Sequence, residues 1–153
     1  MNNVQAYINE TATTHFVFVY RERGNNDNTR VFASIVPVSE IEPFFRLENT
    51  SGSHGKQQKP RFKATISVKH QLENKYGRIY LCTLKELNDA VSSVREMVTC
   101  KPSKINRGHG AEYVLCKMWN AEFHTELDTP HTVSGDISIN GYEYQVKYEG
   151  GWL

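Results

Sequence analysis

Residues 135–147, with the sequence GDISINGYEYQVK, carry the clearest structural signal in this chain. Asn140-Gly141 separates two runs in which apolar and polar residues alternate, a pattern typical of a β-hairpin with a two-residue type I′ turn. That turn fixes the register of the two strands, and therefore which side chains share a face. The predicted cross-strand pairs are Ile139 with Tyr142, Ser138 with Glu143, Ile137 with Tyr144, and Asp136 with Gln145.

Side chains alternate across a strand, so the predicted hairpin has one apolar and one polar face. The apolar face carries Ile137, Ile139, Tyr142, Tyr144 and Val146. The polar face carries Asp136, Ser138, Glu143, Gln145 and Lys147. Directly opposed Cβ atoms lie about 4.5–5.5 Å apart and diagonal ones about 7–8 Å apart. The polar face therefore places a carboxylate, an amide oxygen and an ammonium group within reach of one metal-and-water site.

This polar face resembles the PD-(D/E)XK nuclease superfamily, in which an Asp on one strand and a (D/E)-x-K on the next hold a divalent metal and an attacking water. Asp136 matches the first position. Gln145-Val146-Lys147 matches the second in a QxK form, which is found in the branch that resembles the type IV restriction enzymes. A Glu on the preceding helix is frequent in the superfamily, and Glu112 matches it. The resemblance covers residues 105–149.

The resemblance implies a metal-dependent DNA endonuclease that hydrolyses phosphodiester bonds, of the restriction-enzyme or junction-resolvase type. Lys147 would orient the attacking water and neutralise the scissile phosphate. DNA is the expected partner, and cleavage of both strands by a chain this short implies a homodimer. The ligands implied for Mg²⁺, or for Mn²⁺ in its place, are Asp136, Glu112, the side-chain oxygen of Gln145 and the carbonyl of Val146.

Two features depart from the family pattern. Gln145 stands where a carboxylate is usual, and Glu143 on the same face is either a surplus surface charge or its replacement. Only six residues follow Lys147, whereas the family core continues with another helix and strand. Residues 14–98 supply those elements, a partner subunit supplies them, or the resemblance is accidental. The alternative function is a non-catalytic α+β module that binds nucleic acid or another protein.

The whole chain predicts an α+β fold with a mixed β-sheet and a restriction-endonuclease-like αβββ core at its C-terminal end. Residues 1–100 form an N-terminal β-rich elaboration and residues 101–153 the nuclease-like core, within one compact domain. A capping box at Thr83–Glu86, followed by apolar residues at helical spacing, predicts a helix over 84–98. Further strands are predicted over 14–20, 30–38, 61–69, 78–83 and 123–127, and further helices over 39–45 and 108–121.

The charges are unevenly distributed, although the net charge is only +1. Residues 56–78 contain seven Lys and Arg residues against one acidic residue. A cationic surface suits phosphates, and an ordinary solvated face is the alternative. Gly108 and Gly110 would let a phosphate approach the amides at the start of the helix over 108–121. The candidate nucleic-acid contacts are Lys59, Arg61, Lys63, Lys69 and His109.

The cysteine content and the hydropathy of the chain indicate the cellular compartment in which the protein is expected. Three cysteines without C-x-x-C spacing indicate neither a disulfide framework nor a zinc site, which predicts a reducing, cytoplasmic location. No run of about 18 apolar residues occurs, so no transmembrane helix is expected. The N-terminus lacks the pattern of a signal peptide. The chain also lacks G-x-S-x-G, P-loop and H-E-x-x-H motifs, which leaves other hydrolase, NTPase and zincin functions without a motif.

Overall fold

The computed structural model describes residues 12–49, 58–62, 66–98, 102–124 and 136–150, and it shows an α+β fold with a mixed, curled sheet. The strands are β1 (His15–Arg21), β2 (Arg30–Pro37), β3 (Phe45–Asn49), β4 (Gln58–Phe62), β5 (Ile79–Thr83), β6 (Ile137–Ile139) and β7 (Tyr142–Gly150). The α-helices are α1 (Ile66–Tyr76), α2 (Leu84–Met97) and α3 (Arg107–Trp119), and short 3₁₀ turns lie at Val38–Glu40, Glu42–Phe44 and Pro102–Lys104.

The central strand of the main sheet is β1, with the sequence HFVFVYR. The sheet has the order β5-β2-β1-β7-β6, and β3 pairs with β4 in a separate two-stranded sheet. The apolar residues from Phe16 to Tyr20 are at most 1% exposed. Such complete burial requires cover on both faces of the sheet, which explains why this strand is continuously apolar rather than alternating.

Strands β1 and β7 run parallel and join the two halves of the chain in one sheet. Their register places Phe16 opposite Gln145 and Phe18 opposite Lys147. All other neighbours in the sheet are antiparallel. Residues 14–98 thus supply the strand that lies beside the one carrying Lys147.

Helices cover the sheet on both sides. On one face, α2 and α3 pack against β1 and against Val146 of β7. On the other face, Leu72 of α1 packs with Phe16. Because side chains alternate along a strand, Gln145 and Lys147 lie on the α1 face, and Val146 lies on the face of α2 and α3. The hairpin therefore has the two chemically distinct faces that its sequence predicts.

Helix α2 begins where the sequence places it. The Glu86 amide donates to Thr83 Oγ1 at 3.2 Å, and the Thr83 amide donates to Glu86 Oε1 at 2.9 Å. This reciprocal capping box satisfies amides that have no partner within the helix. The predicted strands over 14–20, 30–38 and 78–83 are confirmed as β1, β2 and β5.

Helices α2 and α3 approach each other closely at Gly110. A Cβ atom at Gly110 would lie 2.8 Å from Val91 Cγ2 and 3.1 Å from the Leu87 carbonyl oxygen. The absence of a side chain is therefore needed for packing in the core between the two helices. Gly110 does not open the helix start to a phosphate, and that prediction is wrong.

The predicted strand over 61–69 is wrong in its second half. Strand β4 ends at Phe62, and residues 66–69 belong to α1. Val68 and Leu72 are buried one helical turn apart, with Tyr76 packed against the same cluster a turn further on. Their four-residue spacing is a helical period, but the mostly polar residues between them weaken the signal.

The predicted helix over 39–45 is also wrong. Two 3₁₀ turns occupy this segment before β3 begins at Phe45. Pro43 has no backbone N–H, and its ring clashes with the preceding turn of a continuous α-helix. The capping-box spacing at residues 39–42 is therefore not followed by an α-helix.

The αβββ order of a restriction-endonuclease-like core is not confirmed. Along the described chain, the β6–β7 hairpin is the next regular element after α3. Residues 121–124 form no strand, and the remainder of the predicted strand over 123–127 lies outside the described residues. That core stays a prediction.

Candidate active site on the β6–β7 hairpin

The hairpin has the turn and register that its sequence predicts. Asn140 and Gly141 have φ angles of 49° and 86°, and both must be positive in a type I′ turn. The pairs Ile137–Tyr144, Ser138–Glu143 and Ile139–Tyr142 are confirmed. Tyr142, beside the turn, is 51% exposed rather than buried. The frame that positions the polar face is thus set by local sequence.

Asp136 and Gln145 are in direct contact at the end of the hairpin. Gln145 Nε2 donates to Asp136 Oδ2 at 3.0 Å, and the Val146 amide donates to the same oxygen at 2.8 Å. The Asp136 amide in turn donates to the Tyr144 carbonyl at 3.0 Å. Asp136 therefore continues the hairpin for one more step beyond Ile137, the residue at which β6 begins.

Lys147 and Glu143 flank Gln145 on the same strand and face. Lys147 is half-buried and lies two residues beyond Gln145. Glu143 accepts a 2.5 Å hydrogen bond from Ser138 Oγ across the hairpin. Thr14, just before β1, fixes the backbone here, since its amide donates to the Glu143 carbonyl at 2.8 Å and its Oγ1 accepts from the Glu143 amide at 2.9 Å. These hydrogen bonds fix the polar face of the hairpin relative to β1, the central strand.

Glu112 does not share this face. Helix α3 carries it, and the buried residues Ala111 and Leu115 of that helix pack with Val146 in the core on the opposite side of the sheet. Among the described residues, no group of three or more His, Cys, Asp or Glu side chains could hold a metal ion. A metal on the polar face would therefore depend on Asp136, with at most Glu143 as a second carboxylate, together with uncharged oxygens.

The start of α3 is closed by its own side chains. Asn106 Oδ1 accepts from the Gly108 amide at 2.9 Å, and the Asn106 amide donates to His109 Nδ1 at 3.1 Å. His109 thus takes the place that Glu or Gln has in the usual capping box. This arrangement gives His109 a structural role at the position where a phosphate contact is predicted.

The predicted phosphate-binding residues that the structure describes lie on separate elements. Lys59 and Arg61 lie on β4, opposite Glu48 and Arg46 of β3. Lys63 lies outside the described residues. Lys69, in α1, is only 2% exposed, so its ammonium group is not presented to solvent. Burial is the main cause that lowers the pKa of Lys69.

The two described cysteines are buried structural residues. Burial raises the pKa of Cys82 to about 12 and that of Cys116 to about 11. Thiols with such pKa values are protonated at neutral pH and are poor nucleophiles. Cys100 lies outside the described residues. Cysteine chemistry at Cys82 or Cys116 is therefore not supported.

The sequence does not single out Arg21 or Glu149, yet the charge of each affects the pKa of the buried Lys69. Arg21 follows the apolar run of β1, and Glu149 lies in the alternating sequence of β7. Their proximity depends on the parallel pairing of β1 with β7, which leaves no local mark because the paired strands are far apart in sequence.

Comparison with known proteins gives no further assignment. No family model, curated protein or solved structure matches the chain. No helix in the described part of the chain is long and apolar enough to cross a membrane.

Proposed function

We propose that the chain is a metal-dependent DNA endonuclease with its active site on the polar face of the β6–β7 hairpin. The observation that carries this proposal is the contact of Asp136 with Gln145 at 3.0 Å, with Lys147 next on the same face. A carboxylate, an amide and an ammonium group at this spacing match the QxK form of the nuclease motif.

The donor set suits Mg²⁺, with Mn²⁺ as a substitute. Mg²⁺ is commonly held by one or two carboxylates, with water and substrate oxygens completing the shell. Asp136 supplies the carboxylate. The Val146 amide points at Asp136. In an antiparallel ladder the carbonyl of a residue points to the same side as its amide, so the Val146 carbonyl would face the Asp136 side as well. Gln145 would contribute Oε1 after its amide group turns by half a rotation from the observed hydrogen bond.

The charge of the site favours Glu143 over Glu112 as an auxiliary carboxylate. Glu143 lies on the same face as Gln145, whereas the helix carrying Glu112 packs on the opposite face. A second negative charge would offset the neutral amide at position 145. Glu143 is therefore the better candidate to strengthen cation binding on this hairpin.

The remaining catalytic roles would be those of the Lys147 ammonium group and of the bound metal. Lys147 would orient the attacking water and neutralise the phosphate that is cleaved. The chemistry that a bound divalent metal supplies is a more acidic water and a counter-charge for the phosphate. DNA is the proposed substrate, with Lys59 and Arg61 of β4 as candidate backbone contacts. A homodimer would place two such sites on a duplex, as a restriction enzyme or junction resolvase requires.

A second function is supported by the same contact. The Asp136 carboxylate accepts the Val146 amide and so caps the strand edge. Such a cap stabilises the hairpin whether or not a metal binds. The alternative proposal is a non-catalytic module that binds nucleic acid or protein and uses Asp136 only for structure.

Plasmid cleavage and DNA binding separate the two proposals. The nuclease converts supercoiled plasmid to nicked and linear forms in Mg²⁺ but not in EDTA. Lys147→Ala should lower the rate by about 10²–10³-fold, as expected for loss of one charge-stabilising group. Its affinity for DNA in EDTA should stay close to the parent value. The exposed Lys104→Ala is the matched control and should cut at the parent rate. DNA binding without any cleavage would support the module instead.

A further inference from the structure

The carboxyl ends of β1 and β7 meet because the two strands are parallel. Arg21 is the last residue of β1, and Glu149 is the penultimate residue of β7. The register passes from Val19–Tyr148 to Tyr20–Gly150 and steps over Glu149. The pairing of β1 with β7 is therefore irregular at Glu149.

Lys69 brings a third charge to this end of the sheet. It lies in α1 on the face opposite α2 and α3 and is 2% exposed. A lysine is almost never fully buried unless it is paired. Burial lowers its pKa most, the charge of Glu149 raises it, and the charge of Arg21 lowers it. The charges of Arg21 and Glu149 thus act on Lys69, and we call these three residues the Arg21 cluster.

Arg21 has a donor that the described residues do not satisfy. Its Nε atom is buried and has no hydrogen-bond partner within the described chain. Leaving a buried charged donor unpaired is costly. Nε and Nη of a guanidinium form a planar fork that matches two oxygens of a phosphate or carboxylate. An oxyanion at this position would satisfy the donor.

We infer that the Arg21 cluster is an oxyanion site for a phosphate group, at the carboxyl end of the β1–β7 pair. Arg21 provides the contact, and the cation of Lys69 adds positive potential that the charge of Glu149 partly offsets. The phosphate belongs either to a small free anion or to the backbone of a nucleic acid.

This site is separate from the hairpin site. Three residues of β7, including Lys147, lie between Gln145 and Glu149, and the four steps along the strand span about 13 Å at about 3.3 Å per residue. The inference needs neither metal nor cleavage, so it can hold or fail independently of the proposed nuclease. A nucleic-acid strand that reached both places would connect them.

The direct test is thermal unfolding in inorganic phosphate compared with chloride at equal ionic strength. The parent Tm should rise with phosphate concentration and level off, because a ligand that binds only the folded state stabilises it. Arg21→Gln should lose this phosphate-specific rise, and Arg21→Lys, which keeps the charge but not the fork, should retain only part of it. Arg23→Gln is the matched control, since Arg23 is exposed two residues away, and it should respond like the parent.

A second measurement avoids dependence on folding of the variants. In ¹⁵N-labelled parent protein, one arginine Nε–H resonance should shift with phosphate and saturate over the same concentration range as the Tm. An equal Tm in phosphate and chloride, no such shift, or an unchanged response in folded Arg21→Gln would each overturn the inference.

Oligonucleotide binding in EDTA identifies the source of the phosphate. If the backbone of a nucleic acid is the ligand, Arg21→Gln should weaken binding of a fluorescent oligonucleotide, and inorganic phosphate should compete with it in the parent. If phosphate stabilises the parent but oligonucleotide affinity is the same in both proteins, the site takes a small free phosphate. Either result supports the oxyanion site and distinguishes its ligand.

Discussion

Gln145 Nε2 donates to Asp136 Oδ2 at 3.0 Å, although the two residues are nine positions apart in the sequence. The contact follows from the type I′ turn at Asn140-Gly141, which fixes the register of the hairpin. The same carboxylate oxygen accepts the Val146 amide. Asp136 therefore stabilises the hairpin through its hydrogen bonds and is also the carboxylate of the proposed metal site. Variants are needed that separate these two roles.

Asp136→Ala and Asp136→Asn separate the hydrogen bonds of Asp136 from its charge. The Ala variant loses both acceptor contacts and should lower the free energy of unfolding by about 1–3 kcal/mol. The Asn variant keeps a side-chain oxygen for the Val146 amide and should lose less than half of that. Urea unfolding measures both. Equal stability of Asp136→Ala and the parent would show that the cap contributes nothing to the fold.

Gly110→Ala should destabilise the chain even though Ala favours helices. The added Cβ would lie 2.8 Å from Val91 Cγ2 and 3.1 Å from the Leu87 carbonyl. Overpacking of this kind costs about 1–3 kcal/mol, against a helix-propensity gain of about 1 kcal/mol. The Val91→Ala background removes the closer contact, so Gly110→Ala should cost less there. A cost that does not depend on residue 91 would contradict the packing role.

The capping box of α2 should contribute a pH-dependent part of stability. Hydrogen bonds from the Thr83 amide, and then from its hydroxyl, hold the pKa of Glu86 below its ordinary value of 4.5. A lowered folded-state pKa stabilises the fold above the unfolded pKa, and this contribution is lost as pH falls through the folded value. Glu86→Gln should thus be less stable than the parent near neutral pH, with the difference shrinking in acid. A constant difference in unfolding free energy across that range would rule out the charge as the cause.

Gln145→Glu tests whether residue 145 faces a metal. Without metal, the new carboxylate would lie beside Asp136, and repulsion should lower Tm. Mg²⁺ should bind the paired carboxylates more tightly than the parent site, so the rise of Tm with Mg²⁺ should begin at a lower concentration. Gln145→Ala is the control that removes the donor oxygen. If all three proteins respond equally to Mg²⁺, residue 145 is not a ligand.

The hairpin and the capped helix could be predicted because their signals are local. Asn140-Gly141 requires two positive φ angles, and the Thr83–Glu86 spacing defines a helix start, whatever surrounds them. Helix α1 was missed because Lys69 interrupts its apolar pattern at a position that the fold buries. Its burial is not encoded by the residue type and depends on how α1 packs against the sheet.

The arrangement around the sites could be predicted only in part. Asp136 lies opposite Gln145 because of a single turn, Asn140-Gly141, which the sequence predicts. Tertiary packing decides which side of the sheet α3 covers. That packing separates Glu112 from the polar face. The parallel pairing of β1 with β7 likewise joins residues from opposite ends of the chain, and with it the Arg21 cluster.

Plasmid cleavage by the parent and Asp136→Asn, purified in parallel, tests the central claim most directly. Asp89→Asn serves as the control, because Asp89 is an exposed residue that pairs with Lys85 on α2. The nuclease proposal predicts Mg²⁺-dependent nicking by the parent and by Asp89→Asn, and loss of nicking by a folded Asp136→Asn. Nicking by Asp136→Asn at the parent rate, or no nicking by any of the three in Mg²⁺ or Mn²⁺, would contradict it.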